Sequence, residues 1–422
     1  LKILFISVSG DGFCLANKLA EEDNDVFFWV KEKKYRAVGR GRNNPKLITS
    51  WEEYVNKADF VLFDMVGMGT IADYLRKRVP VFGAGSIADD MELDRDFGIR
   101  LMEKVKTKDS YVDISPHKKF SSLREGIAFL EGKNEPYVFK PMGNKGEGWT
   151  FVAKETNEGL IGFMENLPKD FPFMLQQKIE GIEISTEGVF NGKKFLAFNH
   201  TIEKKRFMNG NVGPNTGCMG STVWVCDADE IVENTLLLLE SVLAKENYHG
   251  VIDVNCIVQE DKLWFLELTP RLGYCAIQNL WHLMEDDPTK FFYQIAKGNN
   301  NIGTFSKEFS VGVTLSMPPF PDYEDMKKVK MLTGLKVLDI PEKYQPFVWL
   351  QDVMYENDEP RMAGVDGLVG YVLATGKTVD KASKQAYNLI KDISIMNDLQ
   401  YRTDITDGVE KSIKQLKEWE WL

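Results

Sequence analysis

Histidine and cysteine are both scarce. The 422 residues hold four histidines (His117, His200, His249, His282), none four apart, so no helical His pair offers a zinc site. The five cysteines (Cys14, Cys218, Cys226, Cys256, Cys275) include no C-x-x-C pair, which reads as reduced thiols rather than a disulfide scaffold. No stretch approaches the ~20 consecutive apolar residues of a membrane span. Positive charge is not in excess either: 52 Lys and Arg stand against 63 Asp and Glu, a net charge of −11. That balance argues against a general nucleic-acid or anionic-membrane binder, while leaving room for a local basic pocket. The opening stretch has no basic n-region or small-residue cleavage site, so a cytoplasmic location is expected, as a monomer or homodimer. Internal repeats and low-complexity runs are absent.

The composition that is present is globular, 43% hydrophobic and 27% charged, and the length suggests two to three domains. Short apolar runs at Lys2–Val8, Asp25–Val30, Phe60–Phe63 and Val79–Phe82 alternate with helical spacings at Phe13–Glu22 and Thr70–Arg78. Such alternation predicts a small parallel sheet over 1–88. Gly10-Asp11-Gly12 follows the first run and precedes a helix, where N–H groups can meet a phosphate. It lacks the third glycine of a dinucleotide loop, which favours a simple turn. From Asp89 a long charged helical segment runs to Lys106, and strands follow at Tyr137–Lys140, Thr150–Lys154, Phe173–Gln177, Glu183–Phe190 and Lys194–His200. A helix over Asp229–Glu246 leads to paired strands Gly250–Gln259 and Leu263–Leu268. A glycine- and asparagine-rich hinge at 298–303 precedes further strands and a final helix, Asp407–Trp419. The expected divisions are 1–88, 89–306 with a flap at about 113–180, and 307–422.

Three segments carry chemistry. Lys140 ends a strand before Gly143, Gly146 and Gly148, forming a two-stranded flap whose lysine and backbone N–H groups suit phosphate oxygens. A glycine-turned hairpin without function has the same appearance. The stretch Gln176-Gln177-Lys178-Ile179 offers backbone groups to a flat adenine edge, and Glu183 can accept from ribose hydroxyls, or is simply an exposed acid on a strand. The strongest pattern is Asp253 on one strand and Glu267 on the next, joined by a tight turn and followed by Thr269 and Arg271. Two carboxylates converging in an apolar sheet repel unless a cation lies between them, and hard oxygen ligands suit Mg²⁺ on nucleotide phosphates. Arg271 reaches the same place and can grip a phosphoryl or carboxylate group bidentately.

The order of lysine flap, hinge with trailing glutamate, and paired acids ending E-x-[NT]-P-R resembles the ATP-grasp superfamily. Within it, Lys205-Arg206 followed by Gly213-Pro214-Asn215-Thr216-Gly217-Cys218-Met219-Gly220 is similar to the K-R … G-P-N-T-G-G-M-G signature of the glycinamide ribonucleotide synthetase (phosphoribosylamine–glycine ligase) family. Pro80-Val81-Phe82-Gly83, Met91-Glu92 with Arg95, and Tyr401-Arg402-Thr403-Asp404-Ile405 extend the resemblance over nearly the whole chain. The resemblance implies an α/β ATP-grasp fold with a small N-terminal parallel-sheet domain and a C-terminal α+β domain. It implies ATP bound by Arg95 (usually lysine), Lys140, the Gly143–Gly148 loop, Gln176–Ile179 and Glu183. Mg²⁺ or Mn²⁺ falls to Asp253, Glu267 and Thr269, the last standing where the family has asparagine. Lys205, Arg206, Pro214, Asn215, Thr216, Arg271 and Arg402 fall near the acceptor and acyl-phosphate, with Arg271, Arg206 and Lys140 the catalytic cations. The implied partners are ATP, a small carboxylate such as glycine, and a small amine joined through an acyl-phosphate.

Departures cluster in one place. Family segments G-G-R-E-H-A, G-P-E-x-P-L and G-G-R are replaced here by Ser9-Gly10-Asp11-Gly12-Phe13-Cys14, Asp64-Met65-Val66-Gly67-Met68-Gly69 and Asp366-Gly367-Leu368. These help bind phosphoribosylamine in the family, so a carboxylate–amine ligase with a divergent acceptor is expected. The alternatives are the family's own reaction and an ATP-binding regulator without catalysis.

Overall fold

The computed structural model describes residues 1–142, 150–322, 326–337, 340–393 and 398–422. It begins with a parallel sheet of β1 (Lys2–Ser7), β2 (Asp25–Val30), β3 (Lys46–Leu47), β4 (Phe60–Phe63) and β5 (Val81–Phe82), ordered β3-β2-β1-β4-β5. Helices α1 (Phe13–Glu21) and α2 (Gly69–Arg76) supply the crossovers. Parallel strands must bury both faces, and β1 does so by alternation. Ile3 and Phe5 enter the main core beside Phe13 and Phe28, while Leu4 and Ile6 enter a separate cluster with Val61, Ala72 and Leu75.

Two helices follow, α3 (Ser86–Leu93) and α4 (Arg95–Val105), where the sequence suggests one. The break is chemical: Asp94 leaves helical geometry, and its carboxylate accepts from the N–H groups of Asp96 at 3.0 Å and Phe97 at 3.1 Å, capping α4. Strand β6 (Val112–Ile114) leads into β7 (His117–Phe120), α5 (Leu123–Glu131), β8 (Tyr137–Pro141), β9 (Phe151–Val152), α6 (Glu158–Glu165) and β10 (Phe173–Gln177). The last four-strand set forms a sheet ordered β7-β10-β8-β9. Phe139 and Leu175 pair across it and pack with Leu130, Leu160 and Met164 of α5 and α6. The period of two then sends Lys140 and its partner Met174 to the opposite face.

Next come β11 (Ile182–Asn191), β12 (Phe195–Glu203), the small hairpin β13 (Arg206–Met208) and β14 (Val212–Asn215), and β15 (Gly220–Cys226). Helices α7 (Glu230–Glu233) and α8 (Leu236–Lys245) replace the single helix expected there, the chain leaving helical geometry at Thr235. Then follow β16 (His249–Val258), β17 (Leu263–Thr269), α9 (Ala276–Leu283), α10 (Pro288–Ala296), β18 (Phe309–Ser316), α11 (Met326–Lys330), β19 (Val348–Leu350), the hairpin β20 (Val353–Glu356) and β21 (Glu359–Met362), β22 (Leu368–Gly376), α12 (Val379–Asp392) and α13 (Val409–Glu418). A nine-stranded sheet, β19-β22-β18-β15-β12-β11-β16-β17-β6, is continuous across position 306. One of its faces packs Ile184, Ile252 and Val254 against α4 and α8; the other packs Val189, Val251 and Val311 with residues of α9 and α10. No helix among the described residues is long and apolar enough to cross a membrane.

The flap core should be the most easily broken packing near the site. Phe139 is fully buried and stacks on Phe173 at 4.8 Å between centroids. Phe139→Ala is expected to lower unfolding free energy by about 3–5 kcal/mol, measured by urea denaturation.

Candidate active site

The register of the central strands lays polar residues in rows on one face. Glu187 of β11 stands opposite Asp253 of β16, and Asp253 opposite Thr269 of β17; one row along, Ser185, Asn255 and Glu267 align in the same way. Asn199 of β12 continues the first row beside Glu187. The face is thus built by alternation, with Ile184, Thr186 and Gly188 pointing the other way.

Charges fill this face in a network. Arg95, at the start of α4, pairs with Glu267 at 3.0 Å. Lys205 reaches Glu183 at 3.1 Å, Asn255 Oδ1 at 3.3 Å and Glu203 at 3.9 Å. Arg271 Nε donates to Glu92 at 3.2 Å. Burial would raise the Glu267 carboxyl, but Arg95, Lys205 and Lys140 together outweigh it and hold it down at about 2. Lys140 is buried, and that burial, reinforced by Arg95 and opposed by Glu267, brings its ammonium down to about 8. Burial pulls Lys205 down too, yet Glu183, Glu203 and Glu267 carry it well above the usual lysine value. Asp253 is pushed up to about 7 by burial and then Glu203, and Glu187 to about 8 by burial and then Asp253. Glu187 Oε1, Asp253 Oδ1 and both polar atoms of the Asn199 amide are buried without a hydrogen-bond partner. The face thus holds unpartnered polar atoms beside acids whose ionisation burial disfavours.

Of the residues singled out in the sequence, Arg95, Lys140, Glu183, Lys205, Asp253, Glu267, Thr269 and Arg271 come together here. Gln176 is buried in β10; the Gln177 carbonyl accepts from Ser115 Oγ and its N–H donates to the Pro116 carbonyl, and Lys178 Nζ donates to the Lys154 carbonyl, with Ile179 just beyond. Arg206 turns into its own hairpin, donating to the Gly213 carbonyl at 2.9 Å, with Pro214 exposed in β14 and Asn215 paired opposite Arg206. Thr216 bonds the Lys205 carbonyl through both N–H and hydroxyl. Arg402 lies elsewhere, fully buried with both sides of its guanidinium on Asp404 and Nη1 on the Arg206 carbonyl and Asn211. Gly143, Gly146 and Gly148 lie outside the described residues.

Sequence reasoning missed Glu187, Glu203, Asn199, Asn255 and Glu92. The signal was available in the alternation Glu183-x-Ser185-x-Glu187 and Asp253-x-Asn255, polar residues at every second place of strands that are otherwise apolar. A second grouping with metal-ligand atoms, His200, Cys226 and Asp229, occurs among the described residues. Both ring nitrogens of His200 are already engaged, by Thr186 at 2.9 Å and Asp229 at 2.8 Å.

The face defines an ATP-grasp domain: residues 95–274 match the family model described as the phosphoribosylglycinamide synthetase ATP-grasp (A) domain. Over nearly its full length the chain resembles phosphoribosylamine–glycine ligase. It is 25% identical over 442 residues to that enzyme of Clostridium acetobutylicum, covering 96% of this chain and 99% of the relative. Identity is also 25% over 361 residues to the enzyme of Streptococcus pneumoniae, covering 81% of each. The fold matches the crystal structure of phosphoribosylamine–glycine ligase from Thermotoga maritima with a TM-score of 0.71 at 19% identity, over 96% of this chain and all of the other.

The buried ammonium gives a test of these electrostatics without any ligand. Between its native value of about 8 and the unfolded value near 10.5, the folded chain binds fewer protons at Lys140 than the unfolded one. Stability contributed by this position therefore rises with pH across that window, by roughly 3 kcal/mol at most. Lys140→Met should abolish that rise, read as the difference between urea denaturation curves of the two proteins at pH 7.5 and 10.

Proposed function

We propose that the chain is an ATP-dependent carboxylate–amine ligase, joining a small acid of the amino-acid type, such as glycine, to an amine through an acyl-phosphate. The observation that carries this is the single face on which Lys140, Arg95, Lys205 and Arg271 gather about Glu267, Asp253 and Glu187. The unpartnered oxygens of Asp253 and Glu187, with Glu267 and Thr269 beside them, are hard donors that fit a divalent cation of the Mg²⁺ or Mn²⁺ type. Such an ion, when bound, would neutralise phosphate charge. Everything else falls to the chain's own side chains.

Gln176–Ile179 offers an edge for adenine and Glu183 an acceptor for ribose hydroxyls. Lys140 meets the phosphates from the flap side. Arg271 and Lys205 hold the substrate carboxylate, whose oxygen attacks the γ-phosphorus as the bond to the leaving ADP oxygen breaks. The amine lone pair then forms a C–N bond at the acyl carbon. The C–O bond to phosphate breaks with its electron pair, and the proton lost from nitrogen leaves with the phosphate. Charge grows on oxygen in both steps, which fixed cations in a water-poor site stabilise most effectively. No covalent enzyme nucleophile is needed.

Lys140→Met and Glu267→Gln are each expected to weaken ATP binding or ADP formation at least tenfold while leaving the circular dichroism spectrum unchanged. Unaltered ADP formation in Glu267→Gln would remove the metal role from that residue. No ADP release from the wild type with any amino acid and amine would refute the ligase reading.

A further inference from the structure

A basic hollow of about 460 Å³ lies in the loop between β2 and β3. Arg40, Gly41, Arg42, Asn43, Lys46 and Leu47 line it: three cations, one amide and no acid. This loop is pinned from two sides. The Gly39 N–H donates to the Val353 carbonyl at 2.8 Å and the Arg40 carbonyl accepts from the Tyr355 N–H at 2.7 Å, so β20 holds one end. Asn44 Oδ1 accepts from the Val26 N–H at 3.0 Å and its amide donates to the Asn24 carbonyl at 2.7 Å, which fixes the other end at the start of β2. Between these anchors residue 41 has φ +85°, and a Cβ there would collide with the Tyr355 carbonyl oxygen, so only glycine lets the loop lie this close.

The donors of this loop are largely unspent. Arg40 Nη2 donates to Met354 Sδ at 3.0 Å, a weak acceptor. Arg42 Nε meets Asn17 Oδ1 at 3.3 Å, and its guanidinium lies 4.7 Å from the centre of the Tyr355 ring. Among the described residues no acid forms an ion pair with Arg40, Arg42 or Lys46, and nothing accepts from the Gly41 and Asn43 N–H groups. Two guanidinium forks, an ammonium and backbone N–H groups exceed what the two oxygens of a carboxylate can fill, and they suit the several oxygens of a phosphate. The hollow has the size of a small-molecule pocket, and the net charge of −11 counts against a surface that tracks a nucleic-acid backbone. The residues that touch the loop come from α1, β2 and β20, none of which contributes to the ligase face.

We propose that this hollow binds a small phosphorylated anion of the diphosphate type, at a site separate from the ligase face. Arg40 and Arg42 take phosphoryl oxygens in their guanidinium forks, Lys46 balances further charge, and the Gly41 and Asn43 N–H groups complete the set. Because β2 and β20 fix the loop before any ligand arrives, little ordering opposes binding.

Calorimetric titration of the full chain with inorganic diphosphate, without added metal, tests it. The Lys140→Met variant, whose ligase face has lost a phosphate-binding cation, should still bind one equivalent. In that background Arg40→Ala and Lys46→Ala, both at exposed positions, should each weaken binding about tenfold or more. In the otherwise wild-type chain the same two changes should leave ATP affinity unaltered. Citrate, which carries comparable charge on carboxylates, should bind about tenfold more weakly than diphosphate or worse. Loss of diphosphate binding in Lys140→Met alone assigns it to the ligase face and overturns the proposal, as does undiminished binding in both loop variants. Citrate bound as tightly as diphosphate overturns the phosphate class. Tighter binding of a single-stranded DNA oligonucleotide than of diphosphate overturns it too, in favour of a nucleic-acid surface.

Discussion

Glu267 kept ionised among fixed cations is the constraint on which the central face depends. A carboxylate partly withdrawn from water is held ionised by positive charge fixed nearby, and three elements each contribute one cation. Arg95 comes from the first turn of α4, Lys140 from the inward side of β8, and Lys205 from the end of β12. Lys140 already sits far below its ordinary value, and only Glu267 and Glu183 oppose a further fall. The flap sheet, α4 and the central sheet are thus tied by charge balance as well as by apolar contact.

Much of this was legible before any coordinates. The apolar runs of the first ninety residues mark strands β1, β2, β4 and β5 because a parallel sheet buries both faces and leaves no room for polar alternation. The meeting of Asp253 and Glu267 was readable from a three-residue turn between two strands. The register is finer than that reading: an irregularity between Asn255 and Cys256 sets Asp253 opposite Thr269 and Asn255 opposite Glu267. Glu187, Glu203 and Asn199 were not found, because a lone acid in a strand looks like a solvent-facing residue until the neighbouring strand is known. One expected helix is cut where a side chain can cap: Asp94 ends one pattern and starts another with no change in hydrophobic spacing.

The N-terminal loop, read as a simple turn for want of a third glycine, holds a contact that local sequence cannot reveal: Asp64, fifty-two residues on, takes the Gly12 N–H. Arg402 repeats the lesson from the other end. A matching motif places the residue, while the bidentate partner Asp404 two positions later decides that its guanidinium serves the fold around the β13–β14 hairpin.

The nine-stranded sheet is stitched from pieces far apart in the chain, since β17 pairs with β6 about one hundred and fifty residues before it, and β22 inserts between β18 and β19 only after residue 368. A chain emerging from the ribosome can complete its N-terminal parallel sheet early, from neighbouring segments. The edge of β18 must wait, its backbone groups unpaired, until most of the polypeptide has been made. Long-range closure of this kind makes for slow assembly. The interval between the appearance of β18 and its capture by β22 is when this protein is most exposed to unwanted strand pairing, and chaperone capture would be of greatest value then.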